Sequence, residues 1–270
     1  MPRQSLLEYF GPDSRPAKEI AFVWRRGYRV DRWSYGKLLR AAANASARLR
    51  SQGVARGERV LLWGENSGEW VAAFLGCLFC GAVAVPMDAI ADPGFARRVA
   101  SQSGARAAVV GRGLPPLDLP IASLLLDDLL EATTDSATSE ICYEPAERSD
   151  AVEIVFTSGT TAEPRGVVLT HGNLLANLEP IEQEIRRYRR YEKFVHPLRF
   201  LDLLPLSHVF GQLLGIFLPQ ILGATSVFAE TLNPSETIAT IHDERVSVLV
   251  TVPRVLESLK DQIERDLQTS

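Results

Sequence analysis

Apolar residues recur along this chain in two alternating periods, and the alternation lays out its elements. Residues 19–32 read as a hairpin, with Arg26-Gly27 at the turn between two strand-like runs. Ser34 then caps a helix whose apolar positions Leu38, Ala42, Ala45 and Leu49 keep helical spacing up to Gly53. Strand Val60–Trp63, a helix from Asn66 to Cys80 and strand Ala82–Val85 follow, with Asn66 and Glu69 as a capping-box variant at the helix start. A helix near 94–102 and strand Ala107–Val110 continue the series. Residues 131–150 are polar and read as a surface loop ahead of strand Val152–Phe156. Further on, a helix over Leu174–Arg190 carries Leu174, Leu178, Ile181 and Ile185 on one face. Strand Phe200–Leu204, a helix over 209–222 and strand Thr225–Phe228 come next. Asn233-Pro234-Ser235-Glu236 starts another helix, and strand Val246–Val252 and a helix from Arg254 complete the chain. Strands separated by helices predict an α/β fold with largely parallel, layered sheets and flanking helices.

One stretch tests that reading. Trp70–Met87 is nearly uncharged and close to the length of a membrane span, but Gly76, Gly81 and Pro86 interrupt it and Glu69 and Asp88 close it. It reads as a buried helix followed by a buried strand. The composition agrees: 270 residues, 46% hydrophobic and 23% charged, with a mean hydropathy of +0.01. This excludes a disordered chain, a collagen-like repeat and a disulfide scaffold. A net charge of −4 argues against a dedicated nucleic-acid binder. Three cysteines in apolar settings and an N-terminus without an apolar leader point to a cytoplasmic protein. Cys77-Leu-Phe-Cys80 has redox or metal spacing but no second pair and no nearby histidine, so it reads as packing.

Candidate chemistry is concentrated in Thr157-Ser158-Gly159-Thr160-Thr161-Ala162-Glu163-Pro164-Arg165-Gly166, between the strand ending at Phe156 and the apolar run Val167-Val168-Leu169. Hydroxyls and backbone N–H groups lie close together, Gly159 lets the backbone approach an anion, and Arg165 supplies a cation suited to phosphate oxygens. The arrangement is a phosphate cradle without the Gly-Lys-Ser/Thr helix entry of a Walker loop. From composition alone, a mobile surface turn fits the same residues.

The run TSGTTAEPRGVVLTH resembles the phosphate-binding signature of the adenylate-forming superfamily: acyl-CoA synthetases, luciferases and the adenylation domains of peptide synthetases. Asp150–Phe156 is similar to its lead-in strand, and Leu204-Pro205-Leu206-Ser207-His208-Val209-Phe210-Gly211 to its Pro-x-x-His motif at the acyl-substrate pocket. Trp70–Met87 is similar to its helix-Gly-strand-Pro passage, and the likeness runs in family order over most of 20–260. It implies that Thr157, Ser158, Gly159, Thr160, Thr161, Arg165 and Gly166 hold the ATP phosphates, with Thr161 helping to bind Mg²⁺ beside an acidic ligand that this chain lacks. His208 would lie at the substrate carboxylate, and Val209, Gln212, Leu213 and Ile216 would line the acyl pocket, with Arg165 and His208 as the catalytic pair. The implied reaction joins a carboxylic acid, a fatty acid by the apolar Leu203–Leu222 region, to coenzyme A through an acyl-adenylate. Two alternatives stand beside it: loading of a carrier protein, and a non-catalytic nucleotide-binding module.

Two residues depart from the pattern, Ala162 for glycine and Arg165 for lysine. Of 29 basic residues only four are lysine (18, 37, 193 and 260), so the second change follows a general arginine bias. No Tyr-Gly-x-Thr-Glu or Thr-Gly-Asp run occurs. The resemblance therefore implies the N-terminal part of a longer synthetase, without its lid domain and inactive alone, with an open sheet edge that invites self-association. By the same analogy, 1–18 form an arm and 19–54 pack with a second subdomain that begins at 199–270, while 55–198 form the first. His171 reads as shaping a helix start. Arg186, Arg187, Arg189 and Arg190 read as a solvated helix end, with transient contact to a membrane surface as their functional alternative.

Overall fold

Two parallel runs of apolar strands need cover on both faces, and the chain supplies it by placing helices between two sheets. The computed structural model describes residues 2–11, 14–130, 143–157 and 164–269. The six-stranded sheet has the order β6-β5-β3-β4-β7-β8, made of β3 (Arg59–Gly64), β4 (Val83–Asp88), β5 (Ala105–Val110), β6 (Ala122–Leu125), β7 (Ala151–Thr157) and β8 (Arg165–Thr170). Its strands run parallel except for the antiparallel pair β7–β8. The five-stranded sheet has the order β11-β9-β10-β1-β2. Here the hairpin β1 (Ile20–Arg26) and β2 (Arg29–Ser34) joins β9 (Arg199–Asp202), β10 (Thr225–Phe228) and β11 (Val248–Val250), with Phe22 in register with Ser226.

Helices α1 (Tyr35–Ser51) and α2 (Gly68–Phe79) fill the centre. Ser34 caps α1 by accepting from the Lys37 amide at 3.2 Å, as its sequence predicts. Every residue of α2 is buried, and two glycines let it approach its neighbours. A Cβ on Gly76 would lie 2.6 Å from Ala45 of α1, and one on Gly68 would lie 2.6 Å from the Trp24 ring of β1. Trp70–Met87 is thus a core helix and a core strand, and among the described residues no helix is long and apolar enough to cross a membrane. Cys77 and Cys80 are free and buried inside this packing, and burial raises both thiols above their ordinary range.

Helix α3 (Pro93–Ser103) covers the outer face, and α4 (His171–Val195) follows β8. Thr170 and Asn173 start α4 reciprocally, the Thr170 amide donating to Asn173 Oδ1 at 2.9 Å and the Asn173 amide to Thr170 Oγ1 at 3.2 Å. His171 is the first residue of α4 and is buried, and its Nδ1 accepts from the Leu6 amide at 3.1 Å. That bond, with Arg3 donating to Glu182 at 2.8 Å, docks the arm and its 3₁₀ turn (Leu6–Tyr9) onto α4. Glu182 also accepts from Arg186 one turn on at 2.7 Å, which favours the solvated reading of that segment. The side chains of 188–195 lie outside the description, as do residues 131–142 of the expected loop.

Three sequence expectations need correction. The cap of α2 is Ser67, whose hydroxyl accepts from the Trp70 amide at 3.1 Å, and Asn66 is engaged elsewhere. Strand β6 and the turn of π-helix at Leu213–Phe217 carry no signal in the hydrophobic pattern. The π turn joins α5 (Val209–Gln212) to α6 (Leu218–Leu222) inside what reads as one helix. Phe217 in this turn meets Phe74 of α2 and Phe10 of the arm with ring centroids 6.4 and 6.0 Å apart. Helices α7 (Pro234–Asp243) and α8 (Pro253–Thr269) close the chain, Asn233 capping α7 through the Ser235 amide.

Candidate functional site

Two chain segments bear the residues singled out in the sequence. The first is the end of the β7–β8 pair, where Thr157 stands in register with Arg165. Residues Ser158, Gly159, Thr160, Thr161, Ala162 and Glu163 between these strands lie outside the described residues, as does the Thr157 side chain. Arg165 is exposed and has no ionic partner among the described residues. Gly166 is required by packing: a Cβ there would lie 2.8 Å from Ile154 and 2.9 Å from Phe156. An exposed guanidinium beside a glycine suits the approach of an anion.

The second is the turn Leu203–His208 after β9. His208 is exposed at the N-cap of α5 and makes no side-chain capping bond, so among the described residues its imidazole is open to a ligand. Phe210, 57% exposed, is the large apolar side chain beside it. Val209 and Leu213 are half-buried against the central core. Ile216, 1% exposed, and Gln212, 0% exposed, are packed inside the protein, so the structure does not place them on an open pocket wall.

Three polar residues hold this turn, and none of them stood out in the sequence as doing so. Asn66, after β3, donates from Nδ2 to the Leu204 carbonyl at 2.7 Å and accepts from the Leu206 amide at Oδ1 at 2.8 Å, clamping the backbone on both sides of Pro205. Asp202 at the end of β9 accepts from the Leu204 amide at 3.0 Å, and its other oxygen lies against Gly215, where no Cβ would fit. Gln212 donates from Nε2 to the Leu206 carbonyl at 3.0 Å and to Glu153 Oε2 of β7 at 2.8 Å. Glu153 and Asp202 are buried, and burial pushes both carboxyls up to about 7. The signal for them was present: each is a lone acid in an apolar strand, Val-Glu-Ile-Val and Phe-Leu-Asp-Leu. The bond from Gln212 to Glu153 thereby links the strand that leads to Thr157 with the helix that begins after His208.

Among the described residues no group of three or more His, Cys, Asp or Glu side chains could hold a metal ion, and Thr161 lies outside them. The described residues can present a cation and an imidazole to an anionic ligand.

The chain matches the AMP-binding enzyme family over residues 12–269. It is 29% identical over 256 residues to 4-coumarate–CoA ligase-like 3 from Oryza sativa subsp. japonica, covering 84% of this chain and 42% of that protein. With the mitochondrial medium-chain acyl-CoA ligase ACSF2 from Homo sapiens it shares 26% over 287 residues, 92% of this chain and 46% of that one. The chain thus spans less than half the length of these relatives. Its fold matches o-succinylbenzoate CoA synthetase from Bacillus subtilis, bound to a product analogue, with a TM-score of 0.77 at 20% identity, covering 96% of this chain and 51% of that one. Two mixed sheets flanked by helices are the fold of the N-terminal domain of adenylate-forming enzymes. A match from residue 12 to residue 269, on a fold of that kind, shows that the chain belongs to the AMP-binding, adenylate-forming enzyme family.

Proposed function

We propose that this protein acts as an acid–CoA ligase that forms AMP, with a fatty acid as its carboxylic substrate. In the first step a carboxylate oxygen attacks the α-phosphorus of ATP and pyrophosphate leaves. In the second, the thiol of coenzyme A, losing its proton, attacks the acyl carbon and AMP leaves. Thr157, Ser158, Gly159, Thr160, Thr161, Arg165 and Gly166 form the phosphate end of the site, and His208 forms the acid end. Thr161 would help to hold Mg²⁺, which would supply charge neutralisation at the pyrophosphate leaving group. Arg165 adds a fixed cation to the pyrophosphate oxygens, and His208 orients the acid through its imidazole.

The observation that supports this reading most is the family match together with an exposed Arg165 at a strand end and an exposed His208 at a helix start, joined through Gln212 and Glu153. The apolar side chains Phe210, Val209 and Leu213 around His208 favour an aliphatic acid. The test measures pyrophosphate release and CoA thioester formation across a series of acids, with this chain and with the complete product of its gene. Release of pyrophosphate that depends on a fatty acid and yields its CoA thioester in the complete product, and not with this chain alone, is the expected result. Adenylate formation without any CoA dependence would move the acceptor to a carrier protein. ATP binding without turnover in the complete product would leave a nucleotide-binding module.

A further inference from the structure

A glutamate inside an apolar strand is costly unless something is gained, because an apolar residue of the same volume would pack there without any desolvation cost. Glu153 is 0% exposed, on a strand paired on both sides, with Ala84 of β4 on one and Leu169 of β8 on the other. One carboxyl oxygen, Oε2, accepts from Gln212 Nε2 at 2.8 Å. The other, Oε1, is buried with no hydrogen-bond partner, and so is Gln212 Oε1. Two unsatisfied acceptors in one acid–amide pair suit a neutral carboxyl, whose proton satisfies one of them, and burial raises Glu153 in that direction.

The pair also spans two parts of the molecule. Gln212 uses one hydrogen of its Nε2 for Glu153 and the other for the Leu206 carbonyl, in the turn that presents His208. Glu153 lies four residues before Thr157, which is in register with Arg165. That is about 13 Å along an extended strand, while Gln212 lies about 6 Å along the helix axis from His208. This buried bond ties β7 to the His208 turn in addition to the apolar core that Val152 and Leu206 share. Elsewhere the turn is tied by Asn66, Asp202 and its own helix, and neither Asn66 nor Asp202 is on β7 or β8.

We propose that Glu153 and Gln212 are positioning residues, a buried acid–amide bridge that sets the spacing between the Arg165 strand end and the His208 turn, and so the alignment of carboxylate on α-phosphate. This rests on the ligase reading above. Neither residue touches substrate, so the bridge acts on the rate of alignment more than on either binding step.

The test uses the complete gene product and three variants. Glu153→Leu and Gln212→Met keep the volume and cut the bridge from either side, while Glu153→Gln keeps a hydrogen-bonding head of equal length. Steady-state kinetics should show kcat for adenylation reduced by about 10- to 100-fold in the first two, with KM for ATP and for acid changed by less than about twofold. Glu153→Gln should restore most of the rate. Amide hydrogen exchange, read in the same samples, should rise about tenfold at residues 203–208 in the two cut variants while β3 and β4 keep their protection. Unchanged exchange at 203–208 would overturn the bridge, whatever the activity. Raised exchange with an unchanged kcat would make the pair merely structural and overturn its positioning role. A wild-type protein that forms no adenylate with any acid would overturn the ligase reading, and this inference with it.

Discussion

His171 and Glu153 are both buried titratable residues, yet they respond to pH in opposite senses. Burial lowers the His171 imidazole to about 4, because charging it would cost solvation and would take away the Nδ1 lone pair that accepts from Leu6. A base whose folded value lies below its unfolded value of about 6.5 stabilises the fold above that value, and loses the contribution as pH falls through about 4. Glu153 and Asp202 have folded values raised to about 7, so they favour the fold below their unfolded range and lose that contribution as pH rises through about 7. Urea titrations from pH 4 to 8 should therefore show a flatter acid limb for His171→Asn and a flatter neutral limb for Glu153→Gln and Asp202→Asn. Limbs that are parallel to wild type would contradict these assignments. Asn66→Ala should cost about 1–3 kcal/mol, because it leaves the Leu204 carbonyl and the Leu206 amide without their partner. A loss below a few tenths in the same titration would mean that water replaces the clamp.

At the scale of elements, α2 depends on close approach. Gly76→Ala would press a methyl 2.6 Å from Ala45 and 3.0 Å from the Ser46 amide nitrogen, at a cost of about 1–3 kcal/mol in thermal unfolding. Full stability in that variant would mean that α1 can shift away. Most elements were legible in the sequence because their faces are periodic: the caps at Ser34 and Asn233 and strand Thr225–Phe228 stand where the pattern sets them, and the hairpin turn, expected at Arg26-Gly27, stands one residue later at Gly27-Tyr28. The failures share a cause. Asn66 has the chemistry of a cap, but a cap and a long-range clamp require the same side chain, and only tertiary structure decides between them. The π turn at Leu213–Phe217 packs on Asp202 and Phe74, contacts that no local period records.

In the whole molecule, the site's chemistry was legible, and of its support only the lone buried acids were, without their partners. The phosphate run and the Pro-x-x-His turn identify themselves by residue type, whereas Glu153 and Asn66 act through partners 59 and about 140 positions away. Packing of β1 beside β10, some 200 residues apart, is likewise written in no local pattern. The outer side of α8 exposes Leu256, Ile263 and Leu267 at 49, 46 and 73%, next to the short edge strand β11. We expect this chain to self-associate through that face, so light scattering should show a mass that rises with concentration and falls in Ile263→Glu/Leu267→Glu. A monodisperse monomer at high concentration would contradict that. Adenylation between Arg165 and His208 is read by exchange of labelled pyrophosphate into ATP in the complete gene product. Exchange should require a carboxylic acid, with a raised KM for ATP in Arg165→Ala and an acid-dependent rate largely lost in His208→Ala. Exchange that persists undiminished in both variants would contradict it.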